Sequence, residues 1–479
     1  SAHGADPPPA GGPARSSTPA PRGRPVSVSV AARPAGPVVS ADFMGLSFEL
    51  RSLPAIAGYA SRGNLVTLMR SLGPGVMRFG GISADEQAAW VGRGEAGSAL
   101  PGWAHTAIDE SDLSGLAALA RATGWRVLLT VNLGHYDPAA AAQEAAAAHA
   151  LLGSYLVGIE IGNEPDLFPR KHLRPPGAGV TAYLPQAAAY RAAIAAAAPG
   201  VPIAGPDPST GVQGLRWVRA AASTLHPQLL TDHYYPLSSC GEQPTISELL
   251  SPTVRRSESE VLQQTMALAR AYATPLRMDE TNDISCEGQP GVSDTFAAAL
   301  WALDYTARAM AAGVAGVNFH DLIDRPRAYS PLLAPTLGAL AAGALHAAPE
   351  WYGLLAAHTL VGGRTLPTSV AGAAPGELSA SAVRAPDGRV RLVLVDYDHP
   401  GSPPLAVRLR VPRGLAVGRI LRLTAPSPAA TSGVRLGGRE VAPDGTWTPP
   451  HALPAVHGRA GSLAVQMDPS SAAVVTLSP

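Results

Sequence analysis

Apolar and polar positions keep one rhythm through most of the chain and then change. Between residues 41 and 345, short apolar runs alternate with longer stretches of helical spacing. The runs are FMGLSFEL (43–50), VMRFGG (76–81), RVLLTVNLG (126–134), YLVGIEIGNEP (155–165), PIAGPD (202–207), LLTDHYYP (229–236), PLRMDETN (275–282) and GVAGVNFHD (313–321). The segments between them are rich in Ala, Leu and Arg, which favour helix, and several close on Gly, which accepts the left-handed cap. Eight strand–helix cycles within about 300 residues predict a (β/α)8 TIM barrel. A doubly wound sheet is the competing arrangement, but no glycine-rich phosphate fingerprint follows the first run.

Outside that span the period shortens. Residues 346–479 contain LSASAVRAPDGRVRLVLVDYD, PLAVRLRVP, VGRILRLTAP and SAAVVTLSP, short alternating strands separated by Pro/Gly turns. They predict an accessory all-β sandwich. Residues 26–40, VSVSVAARPAGPVVS, alternate in the same way and are expected to join that sandwich. Residues 1–25 are Pro-, Ala-, Gly- and Ser-rich without periodicity and read as a disordered leader.

Composition narrows the function classes. The 479 residues are 46% hydrophobic and carry 36 basic against 36 acidic residues, so no bulk field favours nucleic acid. The longest apolar stretches are interrupted, one by Asp304 and Arg308, another by Pro335 and His346, so no membrane span is expected. Lys171 is the only lysine.

A barrel of this kind places its chemistry at the C-terminal ends of the strands. The run ends carry Glu49, Arg78, Asn132 and His135, Asn163 and Glu164, His233 with Tyr234 and Tyr235, Asp279 and Glu280, and Asn318 with His320. Glu164 and Glu280 are 116 positions apart, but the barrel brings the ends of strands four and seven into one cleft. Paired carboxylates cleave glycosidic bonds: one protonates the leaving oxygen and the other attacks the anomeric carbon or activates water. The acid needs a raised pKa and the nucleophile a supported anion, for which Tyr234 is the expected hydrogen-bond donor. Glu160, further back in strand four, reads as structural.

The motifs GLSFEL, RFGG, IEIGNEPDLF, DHYYPL, MDETN and GVSDTFAAALWALDY, in this order, resemble glycoside hydrolase family 79, the family of heparanases and bacterial β-glucuronidases. The resemblance spans Ser40 to Pro331. It implies a retaining mechanism with Glu164 as acid/base and Glu280 as nucleophile, Asn163 on the sugar 2-hydroxyl, Tyr234 on the nucleophile and Glu49 on ring hydroxyls. Tyr329 and the backbone near Gly288 would receive the glucuronate carboxylate, although CEGQPG departs from the glycine run of animal heparanases. Neutral donors suit an anion beside two catalytic carboxylates; Arg78 or Arg325 is the alternative.

The stretch FPRKHLR after Glu164 holds Arg170, Lys171, His172 and Arg174. At the cleft mouth, Arg170 and Lys171 would grip sulfates or carboxylates of a longer acidic chain. Cys240 and Cys286 fall on the loops after strands six and seven. Adjacent barrel loops meet, so a Cys240–Cys286 disulfide bracing the rim is expected, with two free thiols as the alternative. The sequence therefore reads as an endo-β-glucuronidase acting on heparan sulfate or a related acidic polysaccharide, monomeric, secreted or periplasmic, and needing no metal or cofactor. The alternatives are an exo-acting β-glucuronidase and a non-catalytic carbohydrate-binding protein.

Overall fold

The computed structural model of the chain describes residues 19–94, 99–325, 329–459 and 461–479. Eight parallel strands close into a barrel: β1 (Gly45–Glu49), β2 (Val76–Gly80), β3 (Arg126–Val131), β4 (Leu156–Ile161), β5 (Ile203–Gly205), β6 (Leu229–Tyr234), β7 (Leu276–Thr281) and β8 (Val317–Asp321). Each strand pairs with the next, and β8 returns to β1. The fold is a (β/α)8 barrel with added β-sheets. Its strands are buried on both faces, which explains why their sequences read as near-continuous apolar runs.

Local chemistry sets the helix ends. Asp109 and Asp112 form a reciprocal capping box at the start of Glu110–Thr123, and Gly124 closes that helix at φ 75°. Asp137 caps Pro138–Leu152. Phe296–Ala312 is buried on nearly every face because it is wedged between the barrel and the β-module. Its polar residues are used there: Asp304 accepts from the Ser379 hydroxyl at 2.6 Å and from Tyr397, and Arg308 pairs with Glu258.

The barrel floor is polar. Arg277 donates to Asn318 Oδ1 (2.5 Å) and to the carbonyls of Asp42 and Phe43. Gly316 makes room for it, since a Cβ there would lie 2.0 Å from the guanidinium.

The β-module has two facing sheets. One runs Thr368–Ala371, Arg24–Val30, Leu405–Arg410, Ser462–Met467. The other is built on Leu378–Arg384, Val390–Asp396, Ser471–Ser478 and Val417–Thr424. Val28, Val407, Leu409, Leu392, Leu394 and Val475 fill the space between them. Two boundaries differ from the sequence expectation. Helix Pro349–His358 falls within the span expected to be sandwich, yet it packs along Phe296–Ala312 as part of the barrel's outer layer. Of the expected leader, residues 1–18 lie outside the described residues, and Arg24 and Pro25 already belong to a strand.

Candidate active site

The strand ends converge as a barrel requires. One carboxylate oxygen of Glu164, one of Glu280 and a ring nitrogen of His233 all lie within 4.8 Å of one another. The two glutamates therefore share one cleft, with the His233 imidazole beside both.

Glu280 reaches the cleft through an irregularity. Neighbouring residues of a regular strand face opposite sides. The pairing of β7 with β6 slips between Met278 and Glu280, and that bulge turns both Asp279 and Glu280 inward. Glu280 Oε1 accepts from Arg78 Nη1 at 2.8 Å, and Oε2 accepts from the Tyr235 hydroxyl at 3.0 Å. His320 Nδ1 lies 3.5 Å from Oε1. Burial alone would raise this carboxyl, but His320, His233 and Arg78 outweigh it and hold Glu280 below its ordinary pKa. Arg78 is itself fully buried and also grips Glu160 (2.9 Å) and the Asn163 side-chain oxygen (2.9 Å). Glu160 thus anchors the arginine that holds the nucleophile candidate.

Glu164 is held differently. Its backbone is left-handed (φ 47°, ψ 56°), a conformation that costs a non-glycine residue on the order of 1 kcal/mol. Its N–H donates to the Asp207 carbonyl at 2.8 Å, and Pro165 opens the short turn that follows. The carboxylate meets one ring nitrogen, His233 Nδ1 at 3.1 Å, and keeps 13% of its side chain exposed. His233 is buried, which disfavours charge. Glu280 and Asp279 more than reverse this, so the imidazole stays protonated between the two glutamates. Beneath it, Asp207 and Asp279 each place a carboxylate oxygen within 4.8 Å of the other and of a His233 ring nitrogen. Burial and the Asp279 charge push Asp207 far up, so it keeps the proton while Asp279 stays ionised.

The other expected site residues are accounted for in turn. Asn163 turns its side-chain oxygen to Arg78, leaving the amide NH2 unpaired among the described residues. Glu49 is buried and accepts from Ser83 N (2.8 Å) and Ser83 Oγ (2.5 Å), with His320 Nε2 at 3.3 Å. Burial would raise it, but His320, Ser83 and Arg51 bring it down to about 2. Tyr329 is buried with its ring 5.8 Å from Tyr235 and 6.0 Å from His320. Gly288 (φ 86°) approaches so closely that a Cβ would lie 2.9 Å from the Tyr329 nitrogen. Arg325, the arginine alternative for the sugar carboxylate, is paired with Glu287.

Two expectations are corrected. Tyr234 does not support the nucleophile; its ring packs on Tyr305 outside the barrel, and its hydroxyl has no hydrogen-bond partner among the described residues. The donor is Tyr235, because His233 faces inward and a strand returns to the same face every second residue. That parity was the available signal. The basic run is not a free cationic grip. Lys171 is paired with Glu86 at 3.3 Å and only 16% exposed. Arg174 is committed to the Leu133 and Gly134 carbonyls and to Gln186. Arg170 and His172 remain exposed. Cys240 and Cys286 are joined in a disulfide, their Cα atoms 5.7 Å apart, which ties the loops after β6 and β7.

Two His/carboxylate sets have ligand-like spacing, Glu164–His233–Glu280 and Asp207–His233–Asp279. Arg78 lies 2.8 Å from Glu280 and 3.6 Å from Asp279, so a cation already neutralises both sets. The residues fit proton transfer and nucleophilic attack better than metal ligation.

Solved structures of known proteins share this fold. A 4-O-α-L-rhamnosyl-β-D-glucuronidase from Fusarium oxysporum 12S, solved with Rha-GlcA, superposes with a TM-score of 0.77 at 19% identity over 94% of this chain and 100% of that one. The GH51 arabinofuranosidase from Xanthomonas axonopodis pv. citri gives 0.69 at 15% identity over 95% and 100%. The family 51 α-L-arabinofuranosidase AbfB from Bifidobacterium longum gives 0.71 at 13% over 95% and 99%. These likenesses establish a fold shared with glycoside hydrolases. No family model and no curated sequence matches the chain.

Proposed function

We propose that this protein is a retaining β-glucuronidase. The observation that carries the reading is the Glu164–Glu280 pair, within 4.8 Å through its nearest oxygens, with one member clamped and the other partly exposed. Glu280 attacks the anomeric carbon while Glu164 protonates the glycosidic oxygen, and the leaving alcohol departs. A glycosyl ester on Glu280 results. Glu164, now ionised, takes a proton from water; the water oxygen attacks the anomeric carbon and Glu280 leaves as carboxylate. Arg78, Tyr235 and His233 stabilise that anion at both ends of the cycle.

The sugar class rests on the neutral donors around the cleft. Tyr329 lies beside Tyr235 and next to the Gly288 turn, and its hydroxyl with the backbone of that turn would receive a carboxylate without adding a competing cation. Arg78 and Arg325 are both committed elsewhere. The resemblance to family 79 and the glucuronidase among the structures of like fold point the same way. An acidic polysaccharide such as heparan sulfate, cleaved internally, would draw on Arg170, since Lys171 is neutralised. Release of terminal glucuronate is the second reading, favoured by the short supply of free cations at the mouth. The Cys240–Cys286 disulfide supports an oxidising, exported setting.

The test is hydrolysis of an aryl β-glucuronide beside heparan sulfate with size-resolved products. Turnover of the aryl substrate, lost in Glu280→Gln with the fold retained, is expected; near-normal activity in that variant contradicts the assignment. Early large fragments from the polymer mark endo action, and glucuronate alone marks exo action.

A further inference from the structure

The loop after β2 and the loop after β3 carry an apolar rim that catalysis does not use. The Trp103 and His135 rings stack with centroids 3.8 Å apart and planes 5° from parallel. His135 follows the C-terminal end of β3 and is fixed by its N–H donating to the Asn132 side chain at 2.8 Å. Six large hydrophobic side chains stand exposed among the described residues, and three of them lie in these same two loops. They are Ile82 at 45%, Leu100 at 39% and Tyr136 at 50%. Tyr136 also leans on Tyr190, with ring centroids 5.4 Å apart, so these exposed side chains share two loops rather than one continuous patch, and the Trp103–His135 stack is the aromatic face among them.

The rim sits on the Glu164 side of the cleft. The Asp85 carboxylate accepts from Leu133 N (2.8 Å), Gly134 N (2.7 Å) and Asn163 N (2.7 Å). One side chain therefore locks the β2 loop, the residue before His135 and the residue before Glu164 together. In the proposed reaction Glu164 protonates the leaving oxygen, so the leaving group lies on this side. Two of the basic residues after Glu164 are already engaged, Lys171 with Glu86 and Arg174 with backbone carbonyls, while Arg170 and His172 stay exposed on that loop. Burial and Arg174 also push His135 below its ordinary pKa, which keeps the stack uncharged at neutral pH.

We infer that this rim is the leaving-group subsite, and that Trp103, backed by His135, stacks on the ring of an uncharged sugar to which the glucuronate is β-linked. The inference rests on the glucuronidase reading and narrows its substrate. Sugar C–H groups carry partial positive charge and lie well on an aromatic face, while the rim's own side chains, Trp103, His135, Ile82, Leu100 and Tyr136, offer a sulfate no cation.

The experiment compares the wild-type protein with Trp103→Ala on three substrates. These are β-glucuronyl fluoride, whose leaving group has no ring, glucuronate β-linked to cellobiose, and glucuronate β-linked to N-sulfated glucosamine. The wild type should prefer the cellobiose conjugate to the sulfated one. Trp103→Ala should lose about tenfold more kcat/KM on the cellobiose conjugate than on the fluoride, chiefly through KM. Equal losses on the two, no loss on either, or a wild-type preference for the sulfated conjugate overturns the subsite while leaving the glucuronidase reading intact. A wild type inert toward the fluoride removes that reading, and the subsite with it. Should Trp103→Ala not fold, calorimetry on Glu280→Gln decides: the cellobiose conjugate must bind more tightly than free glucuronate, and equal affinity refutes the subsite.

Discussion

Glu280 and Glu164 share one cleft and have almost opposite surroundings. Glu280 is buried and touched by a guanidinium, a tyrosine hydroxyl and two imidazoles. Glu164 meets one imidazole and opens to solvent from a left-handed turn. Burial by itself favours a neutral carboxyl, so at Glu280 it is the cationic partners that keep the anion. A third carboxyl supplies the control. Glu144, on Pro138–Leu152, is as buried as Glu280 but has no partner for Oε1 among the described residues, and burial pushes it up to about 8.

The sharpest way to break the contrast is to remove the anion. Glu280→Gln should lower kcat on an aryl β-glucuronide by at least about 10⁴-fold with the circular dichroism unchanged, since a covalent route has no substitute for its nucleophile. Glu164→Gln should cost about 10²–10⁴-fold on a poor leaving group and much less on a good one such as fluoride, because only the former needs a proton. A loss independent of the leaving group would remove Glu164 from the acid role.

Smaller changes sharpen the comparison. Tyr235→Phe deletes the hydroxyl on Glu280 and should cost about 10–100-fold in kcat/KM, the worth of a hydrogen bond to a charged group. Tyr234→Phe should stay within about twofold, because it is Tyr235 that bonds Glu280 and the Tyr234 hydroxyl has no hydrogen-bond partner among the described residues. Reversed results would restore the arrangement expected from sequence.

The Glu144 control is read in stability. Its folded pKa, about 8, lies above its ordinary value of 4.5, so the folded state binds the proton more tightly. The associated stability is fully present below pH 4.5 and is lost as pH rises through 8. Relative to Glu144→Gln, the wild type should therefore lose on the order of 3 kcal/mol between pH 4.5 and pH 8.5. Denaturation of both proteins at the two pH values checks it. A constant difference would mean that Glu144 has found a partner or water.

Particular residues show where the sequence was informative. The eight apolar runs coincide with the barrel strands because a strand covered on both faces has few polar positions. Glu164 and Glu280 were legible because strand ends in a barrel share one mouth. Tyr235 was mistaken for its neighbour because the strand's facing was not anchored on His233. The inward turn of Asp279 depends on a bulge, and nothing in MDETN announces one. The partner of Lys171 lay 85 positions away in another loop, beyond any reading of FPRKHLR as a local charge run. The Trp103–His135 stack is likewise a meeting of two loops.

The central claim is double displacement by Glu164 and Glu280. Proton NMR of the first product formed from an aryl β-glucuronide tests it most directly. The account predicts that β-glucuronate appears first and then mutarotates; initial release of α-glucuronate would mean inversion and would contradict it.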